Sequence, residues 1–112
     1  MKIPGAERAV VDAAKIRDYL LSPGHRVGGA KARFFTQLGF EAEHWQSLQD
    51  ELLRLAQGNA EAADSNQFGQ KYVVLGTIQG PTGRSASVVV VWIVLHGEVV
   101  PRFVTAYPGA KS

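Results

Sequence analysis

The chain contains no cysteine among its 112 residues. That absence excludes a disulfide framework, a cysteine nucleophile and a thiolate zinc site, and it agrees with a reducing compartment. Long apolar runs are also missing: the longest, residues 88–95, has eight residues and is too short to span a bilayer. The first fourteen residues carry four charges and no apolar core, so no signal peptide is predicted. We therefore expect a cytoplasmic protein with no membrane partner.

Neither sign of charge is in large excess, because the net charge is only +2, but the charges are unevenly distributed. Residues 1–40 carry +4, residues 41–68 carry −5 and residues 69–112 carry +3. Two basic segments thus flank an acidic one. If the basic segments meet in the fold, they create a positive face suited to a polyanion. Scattered, solvated charge is the alternative.

An apolar content of 46% over this length predicts a single domain, residues 1–112, with a core of its own. The first half predicts three helices, over residues 13–21, 30–38 and 41–57. Asp12 is the expected N-cap of the first helix. The third helix has an apolar stripe formed by Trp45, Leu48, Leu52, Leu55 and Ala56.

The second half predicts three strands, over residues 71–79, 85–95 and 98–107, joined by turns at residues 80–83 and 96–97. Residues 59–68 are expected to form a polar connection. Helices followed by a meander predict an α+β domain, with N-terminal helices packed on a C-terminal antiparallel sheet of three to four strands. Because Pro101 lacks an N–H, the last strand is expected at an edge or bulged there.

The strand predicted over residues 85–95 has no polar face, since residues 88–95 are apolar on both sides. The helices can cover one side of the sheet. Only residues 1–11 remain for the other side, and they offer little apolar area. We therefore expect another chain, a second copy or an antidote protein, to cover that face. In the competing arrangement, residues 1–11 form an extra strand and the domain's own loops close the face.

Two basic residues break the apolar pattern. Lys31 falls inside the apolar sector of the second helix, between Leu38 and Phe35, whereas Arg33 points the other way. Arg102 lies among apolar neighbours on the last strand, where a guanidinium needs a carboxylate or an anionic ligand. Such inconsistencies concentrate at functional sites. The alternatives are a lysine that snorkels to solvent and an arginine paired with an acidic residue of the helices.

The loop before the second helix has the composition of an anion site. His25 and Arg26 precede Gly28 and Gly29, whose lack of a side chain lets backbone N–H groups approach a ligand at the helix start. The sequence contains no nucleotide fingerprint, metal-ligand spacing or nucleophile motif, so no metal and no cofactor are predicted.

Two short motifs and five stretches carry a resemblance to a known family. The pattern His-Pro-x-Gly-x-x-Lys-Ala is met at residues 25–32, with Arg26 in place of the proline, and Arg-x-x-Thr/Ser-x-Tyr is met at residues 102–107. The stretches are residues 3–7, 15–21, 24–35, 69–74 and 101–107. They resemble an uncharacterised bacterial family of small stand-alone proteins, with related domains at the C-terminal ends of polymorphic toxins.

The layout of helices and then a sheet, with Arg and Thr/Tyr on a late strand, is similar to the barnase–EndoU–colicin–RelE class of RNases. That resemblance implies a toxin that cleaves RNA without a metal, by attack of the substrate's own 2′-hydroxyl, and a cognate antitoxin or immunity protein. A non-catalytic module that binds nucleic acid or protein is the alternative. The implied catalytic residues are His25, Lys31, Arg102, Thr105 and Tyr107. The implied RNA contacts are Arg26, Gly28, Gly29 and Arg84.

In this scheme His25 transfers a proton and Lys31 holds phosphate oxygens together with Arg102. Thr105 donates a hydrogen bond, and Tyr107 stacks on a base or donates a proton. On a regular strand Arg102 faces away from the other two. A common site therefore requires a bulge, expected near the proline at position 101, or a curled strand end.

Overall fold

The computed structural model describes residues 1–21 and 29–109, with helices in the first half and a sheet in the second, so the predicted α+β class is confirmed. The helical elements are a 3-10 turn Ala6–Arg8, α1 Ala13–Lys15 continued by a π-helix Ile16–Leu20, α2 Gly29–Gln37, a 3-10 turn Ala42–His44 and α3 Trp45–Ala56. The strands are β1 Ala60–Ser65, β2 Gly69–Gln79, β3 Ser85–Leu95 and β4 Pro101–Pro108. Within the described ranges, no helix is both long and apolar enough to cross a membrane.

The first helix begins where the sequence predicts but changes its winding. The carboxylate of Asp12 accepts a hydrogen bond from the backbone N–H of Ala14 at 2.9 Å, which caps α1. From Ile16 onward the helix is π-wound, and the N–H of Leu21 donates to the carbonyl of Ile16 at 2.8 Å. Single π turns inside helices are frequent at functional sites. This π turn contains Tyr19.

The third helix packs its predicted stripe against the sheet. Leu48, Leu52, Leu55 and Ala56 are buried and Trp45 is half-buried. The helix packs against β2 and therefore covers the face of the sheet that forms the core.

The sheet is antiparallel in the order β1-β2-β3-β4. On its core face Trp92 pairs with Phe103, and their rings meet edge-to-face with centroids 5.7 Å apart. Val74, Val90 and Ala106 form the adjacent row, and all three are buried. The strand predicted over residues 85–95 has those bounds in the structure.

One edge strand lies where the sequence predicts a polar connection. Residues 60–65 form β1 and pair with β2, so the sheet has four strands. Only Ala60 is buried, and the other five residues are exposed. A strand whose side chains are nearly all in water has no apolar alternation, and its pairing depends on the backbone ladder with β2.

The last strand is an edge of the sheet, as the proline at position 101 predicts, and it is also bulged, although at another residue. Phe103 pairs with Trp92 and Thr105 with Val91, which leaves Val104 as the extra residue on β4. Pro101 instead occupies a regular position. Its carbonyl accepts a hydrogen bond at 2.9 Å from the N–H of residue 10, at the outer edge of the sheet.

Residues 1–11 do not cover the second face of the sheet. Ile3, Ala6 and Val11 are buried in the same core as the helices, and residue 10 makes only an isolated bridge to β4. The second face, which we call the open face, consists of Val73, Leu75, Val89, Val91 and Ile93. Leu75 is 70% exposed and Val89 is buried, and the other three are half-buried. Apolar area of this kind on a sheet is typical of an interaction surface.

We expect Leu75→Arg to reduce self-association or aggregation of the isolated chain, because it places a charge on the open face at its most exposed residue. Since this side chain is mostly in water, the free energy of unfolding should change little. Light scattering over a range of concentrations measures the effect. Phe68→Arg, at a residue 61% exposed in the β1–β2 turn, is the matched control. Equal behaviour of the two variants would contradict a role for the open face.

Candidate functional site

An open cavity of about 700 Å³ lies between the first helix, the beginning of α2 and the bulge of β4. Its lining residues are Asp12, Ala14, Lys15, Asp18, Tyr19, Lys31, Val104 and Thr105. Two residues of the predicted site, Lys31 and Thr105, are therefore brought to one cavity although they lie on α2 and β4.

Tyr19, which is outside the predicted site, connects them. The Nζ of Lys31 donates a hydrogen bond to the hydroxyl oxygen of Tyr19 at 2.8 Å. The same hydroxyl is 3.2 Å from the Oγ1 of Thr105, and either oxygen can be the donor in that bond. Lys31 is half-buried, as its place in the apolar sector predicts, and its ammonium group is hydrogen-bonded to this hydroxyl.

Two ammonium groups surround the ring of Tyr19. The Nζ of Lys31 is 5.2 Å from the ring centroid and that of Lys15 is 5.7 Å from it. Burial by itself raises the pKa of Tyr19, but the hydrogen bonds with Lys31 and Thr105 and the two positive charges outweigh it. The pKa of Tyr19 is therefore lowered from its ordinary value. The phenol releases its proton more readily than a solvated tyrosine does.

The position of Lys31 has no explanation in helix stability. Gly29 begins α2, so Lys31 lies in the first helical turn, where the helix dipole disfavours a cation. Its neighbours along the helix follow the predicted pattern, with Arg33 exposed and Phe35 buried. A cation held against the dipole and on the inner side of a helix is an arrangement expected at a ligand site.

The bulge changes which β4 side chains share a face. Register pairs Arg102 with Ile93, Thr105 with Val91 and Tyr107 with Val89, and those three β3 residues lie on one face. The conflict between Arg102 and the other two residues on a regular strand is thereby removed.

Neither Arg102 nor Tyr107 lines the cavity. Arg102 is exposed, and its guanidinium donates to Glu98 from Nε at 3.0 Å and from Nη2 at 3.3 Å. Its carboxylate partner comes from the β3–β4 connection rather than from the helices. Tyr107 is 39% exposed on the same strand.

A model described as "Domain of unknown function (DUF6883)" matches residues 2–110. The chain belongs to this family. No curated protein matches the DUF6883 chain. Among solved structures, it is similar to a chain of the contact-dependent growth inhibition toxin–immunity protein complex from Klebsiella pneumoniae 342, with a TM-score of 0.70 and 17% identity over 96% of this chain and 98% of that chain. At that identity the likeness shows the fold.

The two basic segments of the DUF6883 chain do meet in space. Residue 10 bridges to Arg102, Tyr19 contacts Thr105, and α2 packs on β4. The acidic segment forms α3 and β1, and β1 is the opposite edge of the sheet. The cavity lies between the two basic segments, and its charged lining residues are two lysines, Lys15 and Lys31, and two aspartates, Asp12 and Asp18.

The other predicted residues lie elsewhere. Arg84 is exposed in the β2–β3 turn, where its Nη1 donates to the carbonyl of Gln37 at 3.3 Å, at the far end of α2 from Lys31. The structure does not bring it to the cavity. The predictions for His25, Arg26 and Gly28 fall outside the described residues. In the part of the DUF6883 chain that the structure describes, no group of three or more His, Asp or Glu side chains is arranged to hold a metal ion.

Two features of the sequence are consistent with Tyr19 as a site residue. It lies within residues 15–21, a stretch of the family resemblance, and four residues after Lys15, which places the two on the same side of a helix. Because Tyr19 stands between Ile16 and Leu20 in an apolar pattern, core packing is the simpler interpretation of the sequence alone.

Proposed function

We propose that this DUF6883 chain is a toxin that cleaves RNA and that an immunity protein neutralises it. The observation that carries the proposal is the hydroxyl of Tyr19 held between Lys31 and Thr105 in an open cavity that Lys15 also lines. The fold it shares with a chain of a toxin–immunity protein complex supports the toxin class.

Cleavage by the substrate's 2′-hydroxyl needs positive charge at the phosphate and groups that move protons. The ammonium of Lys31 supplies positive charge beside the negative charge that develops on the phosphate oxygens during attack. The hydroxyl of Thr105 supplies a hydrogen-bond donor beside it. The sequence motif predicts His25 as a group that transfers a proton, since imidazole titrates near neutral pH. Together these groups meet the chemical demands of a transesterification.

The remaining β4 residues extend the site along the strand. Arg102 and Tyr107 flank Thr105 on the same register face, separated from it by roughly 7 Å along the sheet, as two-residue steps on β3 require. A guanidinium binds the next phosphate, and an exposed aromatic ring stacks on a base. RNA in this arrangement runs along the edge strand.

The purified chain is expected to cut total RNA in the presence of EDTA and to leave 2′,3′-cyclic phosphate and 5′-hydroxyl ends, because Lys31 rather than a metal ion stabilises the phosphate charge. Mapping the ends enzymatically checks this outcome. A Lys31→Met preparation purified in the same way controls for contaminating nucleases. Products with 3′-hydroxyl ends, or loss of cleavage in EDTA, would contradict the mechanism. RNA binding without cutting would favour a non-catalytic module.

The immunity partner of this proposal has a surface to bind. Val91 of the open face is paired with Thr105, so the open face continues directly to the cavity. A protein that presents apolar side chains to Leu75 and its neighbours, and carboxylates to Lys15 and Lys31, would cover both at once. Apolar contact at the centre with complementary charge at the rim is the ordinary composition of a protein interface.

A further inference from the structure

We propose that Tyr19 is the general acid of the cleavage, the group that protonates the 5′-oxygen as it leaves. This inference rests on the proposed RNA cleavage and adds a catalytic residue that neither short motif contains. It follows from the contacts of the phenol hydroxyl in the cavity and from the charges around its ring.

The hydrogen bond from Lys31 does not use the phenolic proton of Tyr19. An ammonium group has only donors, so in the bond between Lys31 and Tyr19 the phenol oxygen must accept. The phenolic hydrogen is therefore directed to another acceptor. In the described structure Thr105 can be that acceptor, and a substrate oxygen that enters the cavity can take its place.

The charges facing Tyr19 favour the release of that proton. A phenolate would lie beside the ammonium groups of Lys31 on α2 and Lys15 on α1. Two carboxylates line the same cavity and act in the opposite direction. That of Asp12 accepts from a backbone N–H, and that of Asp18 is 3.9 Å from the Nε of Arg17. Among the described residues, Lys31 is in direct hydrogen bond with the hydroxyl, and the lowered pKa of Tyr19 agrees with this balance.

The step balances as follows. The 2′-oxygen forms a bond to phosphorus while the bond from phosphorus to the 5′-oxygen breaks. The 2′-hydroxyl proton passes to a base, and the proton of Tyr19 passes to the departing 5′-oxygen. The phenolate that remains is stabilised by Lys31 and regains a proton from water, and the base releases its proton to water, which restores the site.

Two substrates that differ only in the leaving group test this assignment. A dinucleotide releases an alkoxide and needs an acid, whereas a nucleoside 3′-(4-nitrophenyl) phosphate releases a stable phenolate and does not. Tyr19→Phe should lower kcat for the dinucleotide by about 10²- to 10⁴-fold and kcat for the nitrophenyl ester by less than about 10-fold. Equal losses on both substrates would show that Tyr19 only positions Lys31 and would overturn the proposal.

The pH dependence gives a second test. Wild-type turnover of the dinucleotide should fall as pH rises through the pKa of Tyr19, and the nitrophenyl ester should not show that fall. Tyr72→Phe, at a half-buried tyrosine on β2, is the matched control and should leave both rates unchanged. The same high-pH fall with both substrates would contradict an acid role.

One readout does not need activity. The phenolate absorbance of wild-type protein minus that of Tyr19→Phe should show Tyr19 ionising at lower pH than free tyrosine, and Lys31→Met should move that ionisation upward. An unshifted titration overturns the acid assignment even if RNA is cut. If wild-type protein cleaves neither substrate while the titration is shifted as expected, the proposed function fails and the acid role fails with it.

Discussion

Lys31→Met is expected to lower kcat/KM for RNA cleavage by about 10²- to 10³-fold, the usual cost of removing one group that stabilises transition-state charge. Methionine keeps most of the volume and the apolar stem and removes only the ammonium. The loss should appear mainly in kcat, because the charge acts on the phosphate during attack. Initial rates on a defined oligonucleotide measure it.

Arg33→Met is the matched control for this variant. It removes the same charge two residues further along α2, but from an exposed side chain outside the cavity. We expect its activity to stay within about twofold of wild type.

Lys31→Met also loses the hydrogen bond to Tyr19, so denaturant unfolding should show a decrease of only about 1 kcal/mol in its free energy of unfolding. Loss of activity in Arg33→Met with full activity in Lys31→Met would contradict the position of the site.

The sheet shows which structural features a sequence can predict. β3 has the predicted bounds because its apolar residues fill both faces and turn residues stop it on each side. β1 was missed because its residues are polar and exposed, and only pairing with β2 makes them a strand. Pro101 correctly predicts an edge strand, but the bulge lies at Val104, because register depends on the partner strand, which the sequence of β4 alone does not specify.

The residues of the candidate site also differ in whether the sequence predicts them. Lys31 is found from the helical wheel because a cation in an apolar sector is a local conflict that needs no tertiary information. Thr105 is found only through a motif. Tyr19 is missed because its partner on β4 is 86 residues away, and a tyrosine in an apolar helix pattern indicates core. The sequence therefore does not predict the contacts between distant elements that bring Lys31, Tyr19 and Thr105 together in one site.

Arg102→Ala is expected to lower kcat/KM for RNA by about 10- to 100-fold, because a guanidinium–phosphate bond is lost. The fold should be unaffected, since the ion pair with Glu98 is exposed and such pairs contribute little to stability. Steady-state kinetics and circular dichroism check the two parts of this expectation.

Glu98→Gln distinguishes an RNA contact from a structural ion pair. In the structure the guanidinium of Arg102 donates two hydrogen bonds to the carboxylate of Glu98, so an RNA phosphate must compete with that carboxylate. Neutralising Glu98 should weaken that competitor and lower KM, while Arg102→Ala raises it. The KM effect of Glu98→Gln should also shrink as salt is raised, because phosphate contacts are screened. If both variants instead lower the free energy of unfolding and leave KM unchanged, Arg102 is a structural residue and RNA does not bind along β4.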